Sequence, residues 1–215
     1  MRILGLTGGI AMGKSTAARQ LRRLGLPLHD ADAAIHRLYA PGGKALAAVA
    51  RRFPEAIVNG GVDRQRLGQL VFGRPEALRD LERMLHPLVR RETLAFLQRQ
   101  ARRRRPLVVL DIPLLFETGG EADCDYVIAV SAPGFLQRQR ALSRPGMTQA
   151  KLDGILARQT SDREKRRRAD YVVPSGLGYG FGLRHLKRAV RLAKGAPSRA
   201  WPPAPQRLRR LRGMR

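Results

Sequence analysis

Apolar residues in this chain fall into short blocks whose spacing switches between the two periods of regular structure. Residues 2–7 (RILGLT) form an apolar run of strand length that ends in glycines, the mark of a buried strand. From Lys14 the period becomes helical. Ala17, Leu21 and Leu24 share one stripe, and Gly25 stands where a C-cap glycine belongs. Leu26–His29 reads as a second strand, closing at Asp30-Ala31-Asp32. Strand, helix and strand in so few residues predict a βαβ unit and a parallel sheet. Residues 33–105 read as mostly helical, with a turn at Asn59-Gly60-Gly61. A helix there opens at Pro75 and carries the stripe Leu78, Leu81, Leu85, and Pro87 is expected to end or kink it. Strand character returns at Leu107–Leu110, closing at Asp111, and at Tyr126–Val130. Residues 135–168 read as two helices broken near Pro145-Gly146. Tyr171–Val173 reads as a last strand, and Leu183, Leu186, Val190 and Ala193 stripe a last helix. After Gly195 the chain turns to Pro, Arg and small residues, and 196–215 is expected to be a basic mobile tail.

One stretch between the first strand and first helix carries specific chemistry. Gly8-Gly9-Ile10-Ala11-Met12-Gly13-Lys14-Ser15 fits G-x-x-x-x-G-K-[ST] without a mismatch, and strand-before, helix-after is the context that pattern needs. Glycines let backbone N–H groups approach phosphate oxygens, and the helix N-terminus adds partial positive charge. Lys14 is the β/γ-phosphate cation and Ser15 a Mg²⁺ ligand, which makes ATP the expected nucleotide. The sole asparagine is Asn59, in a turn, so the guanine-reading motif of a GTPase is missing.

Composition narrows the setting. A chain of 215 residues with 43% hydrophobic content is long enough for a core, and no apolar run approaches membrane-spanning length, so no membrane partner is expected. One cysteine, Cys124, allows no internal disulfide, and with no signal peptide the expected compartment is cytoplasmic. The formal charge of +25 favours polyanions or small phosphorylated ligands. From Lys165 onward the only acidic residue is Asp170, so much of the excess lies at the C-terminal end, where a solvated tail is the plain alternative. Aromatics at 5% leave few stacking platforms, and no specific nucleic acid partner is expected. No heptad pattern sets an oligomeric state.

The phosphate acceptor needs its own machinery. Asp30 and Asp32 follow the second strand, where open α/β sheets bind ligands. A carboxylate there either activates a hydroxyl or caps the next helix, and one Asp doing each is consistent with both. Asp111 ends a buried strand, in the place of a Walker B carboxylate that holds Mg²⁺, or else caps a turn. Glu117 suits pairing with a cation, Cys124 suits a core thiol, and His29, His36 and His185 show no metal-ligand spacing. Arg163 and Arg166–Arg168 suit a solvated helix face.

In order along the chain, GLTGGIAMGKST, His29-Asp30-Ala31-Asp32, Leu85-His86-Pro87, Ile112-Pro113-Leu114-Leu115-Phe116-Glu117 and Ala169-Asp170-Tyr171-Val172-Val173 resemble the motifs of the dephospho-coenzyme A kinases. Gln137, Arg140 and Arg144 resemble that family's lid. The resemblance spans about residues 3–194. It implies an α/β P-loop NTPase fold: a parallel sheet of about five strands flanked by helices. The implied core is 1–32, 106–134 and 169–195, with a helical substrate domain at 33–105 and a helical lid at 135–168. The implied activity is transfer of the γ-phosphate of ATP to the ribose 3′-hydroxyl of dephospho-coenzyme A, the last step of coenzyme A synthesis, with Mg²⁺. By position, Asp32 activates the hydroxyl, and Lys14 and Arg140 stabilise phosphoryl charge. Gly8, Gly9, Ala11, Met12, Gly13, Lys14, Ser15, Thr16 and Arg144 bind nucleotide. Thr7, Asp30, Asp32, His86, Pro113 and Leu114 face substrate, and Ser15 and Asp111 hold metal. Two departures stand out. The family has Gly-Ser where this chain has Ala11-Met12, and Ala11 is expected to avoid positive φ; Pro174-Ser175 replaces an Asn, so no adenine contact is assigned there. The alternatives are another P-loop small-molecule or nucleoside monophosphate kinase, or a nucleic-acid-binding P-loop ATPase.

Overall fold

The computed structural model describes residues 1–203 and divides into two compact units: Met1–His29 with Gln100–Pro202, and Asp30–Arg99. The first unit holds the sheet. Strands β1 (Arg2–Thr7), β2 (Leu28–Asp30), β5 (Leu107–Asp111), β6 (Tyr126–Ser131) and β7 (Tyr171–Pro174) form a parallel five-stranded sheet in the order β2-β5-β1-β6-β7. The centre, β1, pairs with β5 from Arg2↔Leu107 to Leu6↔Asp111 and with β6 from Leu4↔Tyr126 to Thr7↔Ala129. Both neighbours are buried along almost their whole length, which is why they read as continuous apolar runs.

Helix α1 (Lys14–Arg23) lays Ala17, Ala18 and Leu21 on the sheet core. It ends as expected near Gly25, at φ 78°. Helix α9 (Tyr179–Gly195) buries Leu186, Ala189 and Ala193 in the same core, with Leu4, Leu6, Val109 and Ile128.

The second unit is four helices and a small ribbon: α2 (Ala31–Tyr39), α3 (Leu46–Arg52), α4 (Arg64–Val71) and most of α5 (Pro75–Arg102), with β3 (Ile57–Val58) pairing antiparallel to β4 (Gly61–Val62). The ribbon is an addition to the helical reading. Asn59 and Gly60 take φ 50° and 73°, the left-handed pair that closes a two-residue hairpin. Leu38, Val49, Phe53, Leu67, Leu81 and Leu85 share this unit's core. Pro87 does not end its helix: α5 runs through it to Arg102. An interior proline costs a helix about 3 kcal/mol. Here Leu81, Leu85, Leu88 and Val89 pack into one core on both sides of it, and that burial offsets the cost.

Two more expectations change. Residues 134–168 form three helices rather than two: α6 (Gly134–Leu142), α7 (Gln149–Arg158) and α8 (Asp162–Arg168). The first break falls near Pro145-Gly146 as read; the second arises because Ser161 accepts the Glu164 N–H and starts a new helix. The segment expected to be a basic mobile tail makes contacts with the sheet unit over its first residues. The Asp125 carboxylate accepts N–H bonds from Arg199 and Ala200 with one oxygen and from Ile3 with the other. Ala200 is buried, and Ser198 Oγ bonds the Met1 carbonyl at 3.1 Å. Residues 204–215 of that tail lie outside the described residues. No helix among the described residues is long and apolar enough to cross a membrane.

Candidate active site

The P-loop leaves the end of β1 and turns into α1. Gly8 has no room for a side chain, since a Cβ would lie 2.8 Å from the Val130 carbonyl oxygen. Gly13 is required twice over: its φ is 90°, and a Cβ would meet Ser175 Oγ at 2.9 Å. As N-cap of α1, Gly13 offers no side-chain oxygen to the first N–H groups of the helix. These point out of the helix end, the arrangement that receives a phosphate.

Lys14 Nζ lies 2.7 Å from Asp111 Oδ1, and Asp111 is buried at the end of β5. The register that sets Leu6 against Asp111 brings the carboxylate beside the loop. Ser15 follows Lys14 and is exposed. A hydroxyl and a carboxylate are hard oxygen donors, so this pair fits Mg²⁺ by ligand type. Among the described residues there is no group of three or more His, Cys, Asp or Glu placed to hold a metal ion.

Ala11 overturns one expectation: it sits at φ 59°, in the left-handed region. Its methyl is buried with Ala141 and Leu152. Left-handed geometry costs an L-residue about 1–2 kcal/mol, and burying one methyl returns about 0.8 kcal/mol. Ala11→Gly relieves the first and loses the second, so urea denaturation should show a net change under about 1 kcal/mol. A loss above about 2 kcal/mol would mean that the methyl contact, not the backbone, governs this position. Met12, the other departure, is buried, and its N–H closes the loop onto the Gly9 carbonyl at 3.2 Å. Its sulfur lies 3.1 Å from the Ala132 nitrogen.

Arg140, on α6, is aimed at the loop through one residue. Its two terminal nitrogens donate to Ser175 Oγ at 3.2 Å and the Ser175 carbonyl at 3.1 Å, and Ser175 Oγ donates to the Met12 carbonyl at 2.6 Å. The sequence marked Ser175 only as part of a departure with no contact assigned; the signal for this role is its place just past the carboxyl end of β7. Arg144 is exposed beyond the end of α6, and Thr16 Oγ1 accepts from Arg19 at 3.3 Å. Thr7 is fully buried, and its hydroxyl donates to the Pro113 carbonyl at 2.9 Å, bracing the ends of β1 and β5. Leu114, next to Pro113, is exposed.

Glu117 gains a partner that sequence did not name. Lys165, nearly fully buried, donates to Glu117 Oε1 at 2.7 Å, and the Thr160 N–H donates to the same oxygen at 2.8 Å. Arg163 and Arg166–Arg168 are exposed, as read, with Arg167 paired to Glu164 and Arg168 paired to Glu121 and lying over the Phe116 ring. Burial pushes the Glu117 carboxyl up, but the Lys165 ammonium and the N–H donors outweigh it and hold it below the ordinary 4.5. A depressed folded-state value stabilises the protein above the unfolded value and is lost as pH falls through the folded one. Glu117→Gln should therefore cost about 2 kcal/mol near neutral pH. The gap from wild type should close as denaturation is repeated at increasingly acid pH, and a pH-independent gap would contradict this account.

In the second unit, Asp30 caps α2, its Oδ1 accepting the Ala33 N–H at 3.0 Å. Asp32, in the first turn of α2, is exposed. Of the two roles left open for this pair, Asp30 takes that of the cap. His86 is exposed on α5.

The sequence profile of the dephospho-CoA kinase family matches residues 2–176. A dephospho-CoA kinase of Paramagnetospirillum magneticum is 59% identical over 91% of this chain and 92% of its own length, and one of Rhodospirillum rubrum is 54% identical over 92% and 94%. Among solved structures, a Thermus thermophilus protein aligns with TM-score 0.78 at 37% identity, over 89% of this chain and 96% of that one. The dephospho-CoA kinase of Campylobacter jejuni shares the fold, with TM-score 0.65 at 24% identity over 90% and 98%.

Proposed function

The chain belongs to the dephospho-CoA kinase family, and from that premise we propose how its own residues carry out the phosphorylation that completes coenzyme A. The donor is ATP, cradled by Gly8–Thr16, and the acceptor is the ribose 3′-hydroxyl of dephospho-CoA. The observation that carries the residue assignment is the Lys14–Asp111 pair beneath an uncapped α1 N-terminus. A mobile cation and a fixed carboxylate at a phosphate loop are the parts phosphoryl transfer uses.

Lys14 turns from Asp111 toward the β/γ-phosphates. Arg140, its planar fork held by Ser175, offers two donors to the transferring phosphoryl oxygens. Ser15 and Asp111 would hold Mg²⁺, which when bound neutralises phosphate charge. Asp32 accepts or orients the 3′-hydroxyl proton; its support is an exposed carboxylate with no capping duty, two residues past β2. His86, Pro113 and Leu114 are the further residues assigned to dephospho-CoA binding. The cytoplasm is the fitting compartment, where the thiol of Cys124, which is in no disulfide, stays reduced. The test is turnover with ATP and dephospho-CoA, followed by location of the new phosphate. It belongs on the ribose 3′-oxygen, and phosphate at any other position would refute this assignment.

A further inference from the structure

The two peptide groups flanking Ile10 in the P-loop are both held from outside the loop. The Ile10 N–H donates to Gln159 Oε1 at 3.0 Å, and Gln137 Nε2 donates to the Ile10 carbonyl at 3.0 Å. One glutamine acts as acceptor and the other as donor. Gln137 is buried on α6, one turn from Arg140, and Gln159 ends α7. Gly9 leaves them space: a Cβ there would lie 3.3 Å from Gln137 Nε2 and 3.5 Å from Gln159 Oε1. Gln159 is itself anchored, because the next N–H, that of Thr160, is bonded to Glu117.

We propose that Gln137 and Gln159 are positioning residues that orient the P-loop peptides for ATP. A trans peptide points its N–H opposite to its C=O. Pinning the Ile10 carbonyl on Gln137 therefore turns the Ala11 N–H away from α6 and holds Ala11 at its φ of 59°. A flip of that peptide would relax Ala11 toward ordinary φ and put a carbonyl oxygen where a phosphate needs a donor. A loop with Ala in place of Gly has more reason to flip, and the two glutamines oppose it. Because α6 also bears Arg140, the same helix sets the donor loop and the phosphoryl-facing cation.

This inference rests on reading Gly8–Thr16 as the ATP loop, and the opposite polarity of the two contacts supplies the test. Gln137→Glu and Gln159→Glu each add one negative charge beside Ile10, but only Gln137→Glu replaces a donor with an acceptor against a carbonyl. With saturating dephospho-CoA, Gln159→Glu should raise KM for ATP about threefold from charge alone. Gln137→Glu should raise it about thirtyfold, the extra factor being one lost backbone hydrogen bond, with a smaller change in kcat. Lowering the pH protonates either introduced carboxyl and removes its charge, but only in Gln137→Glu does it also restore a donor to the Ile10 carbonyl, so the Gln137→Glu penalty should shrink by the larger factor and that of Gln159→Glu by no more than about threefold. Gln159→Met, which keeps length but cannot accept, should exceed Gln159→Glu in KM by about fivefold. That comparison carries the test alone if Gln137→Glu does not fold. Equal KM for the two glutamate variants, or for Gln159→Met and Gln159→Glu, overturns the proposal. Lys14→Ala is the separate control: wild-type ATP affinity in that variant would remove the ATP-loop reading itself, whatever the glutamines do.

Discussion

Lys14→Ala is expected to lower kcat/KM by at least about a hundredfold, a loss of roughly 3 kcal/mol of transition-state stabilisation. Charge on the transferring phosphoryl group and the leaving β-phosphate grows as the bond breaks, and Lys14 is the cation the loop presents to it. The geometry adds a second readout. Lys14 also holds the buried Asp111 at 2.7 Å, so the variant should lose some stability, about 1–3 kcal/mol. A melting curve separates the two effects, because at assay temperatures well below the transition the variant remains folded and the kinetic loss stands alone. A folded Lys14→Ala protein with near-normal turnover would contradict the assignment of the loop. Asp111→Asn completes the comparison, since it keeps the shape of the carboxylate and removes the ion pair without touching the lysine.

Elements whose stability is decided locally were legible. The buried runs of β1 and β5 and the stripe and glycine stop of α1 announce themselves by period and by turn residues. Of the two outcomes expected at Pro87, the helix end does not occur, because the proline's cost is local while the core that offsets it is assembled from residues distant in sequence. Lys165 went unassigned for a related reason: α8 is too short for periodicity to separate its buried cation from its exposed arginines. At the site, Lys14, Asp111 and the glycines followed from motif and strand position. Gln137 was named only as resembling a lid residue, Ser175 only as a departure and Gln159 not at all, because bonds to the backbone carbonyls and N–H groups of the loop leave no residue pattern to read. Ala11 is the instructive failure. Alanine argued for ordinary φ, yet the loop imposes φ 59° because the glycine-to-helix turn and the glutamine contacts over-determine it.

Asp32→Asn is expected to reduce kcat by about 10²-fold or more while leaving KM for ATP within about threefold. The substitution keeps size and hydrogen bonding but cannot take a proton, so it removes the one property the acceptor hydroxyl needs. Asp30→Asn is the matched comparison. Asp30 is the N-cap of α2, accepting the Ala33 N–H, and asparagine caps as well as aspartate. It should therefore change stability and turnover far less than Asp32→Asn does. The contrast is informative because the two carboxylates are separated only by Ala31, so a general electrostatic effect would touch both. An acceptor panel extends the test from residue to substrate. Wild-type enzyme should phosphorylate dephospho-CoA in strong preference to nucleoside monophosphates, and the Asp32→Asn loss should appear in kcat with saturating dephospho-CoA. An unchanged kcat in Asp32→Asn would return the acceptor chemistry to another residue, and equal losses in both variants would show that charge near α2, not proton transfer at Asp32, limits the reaction.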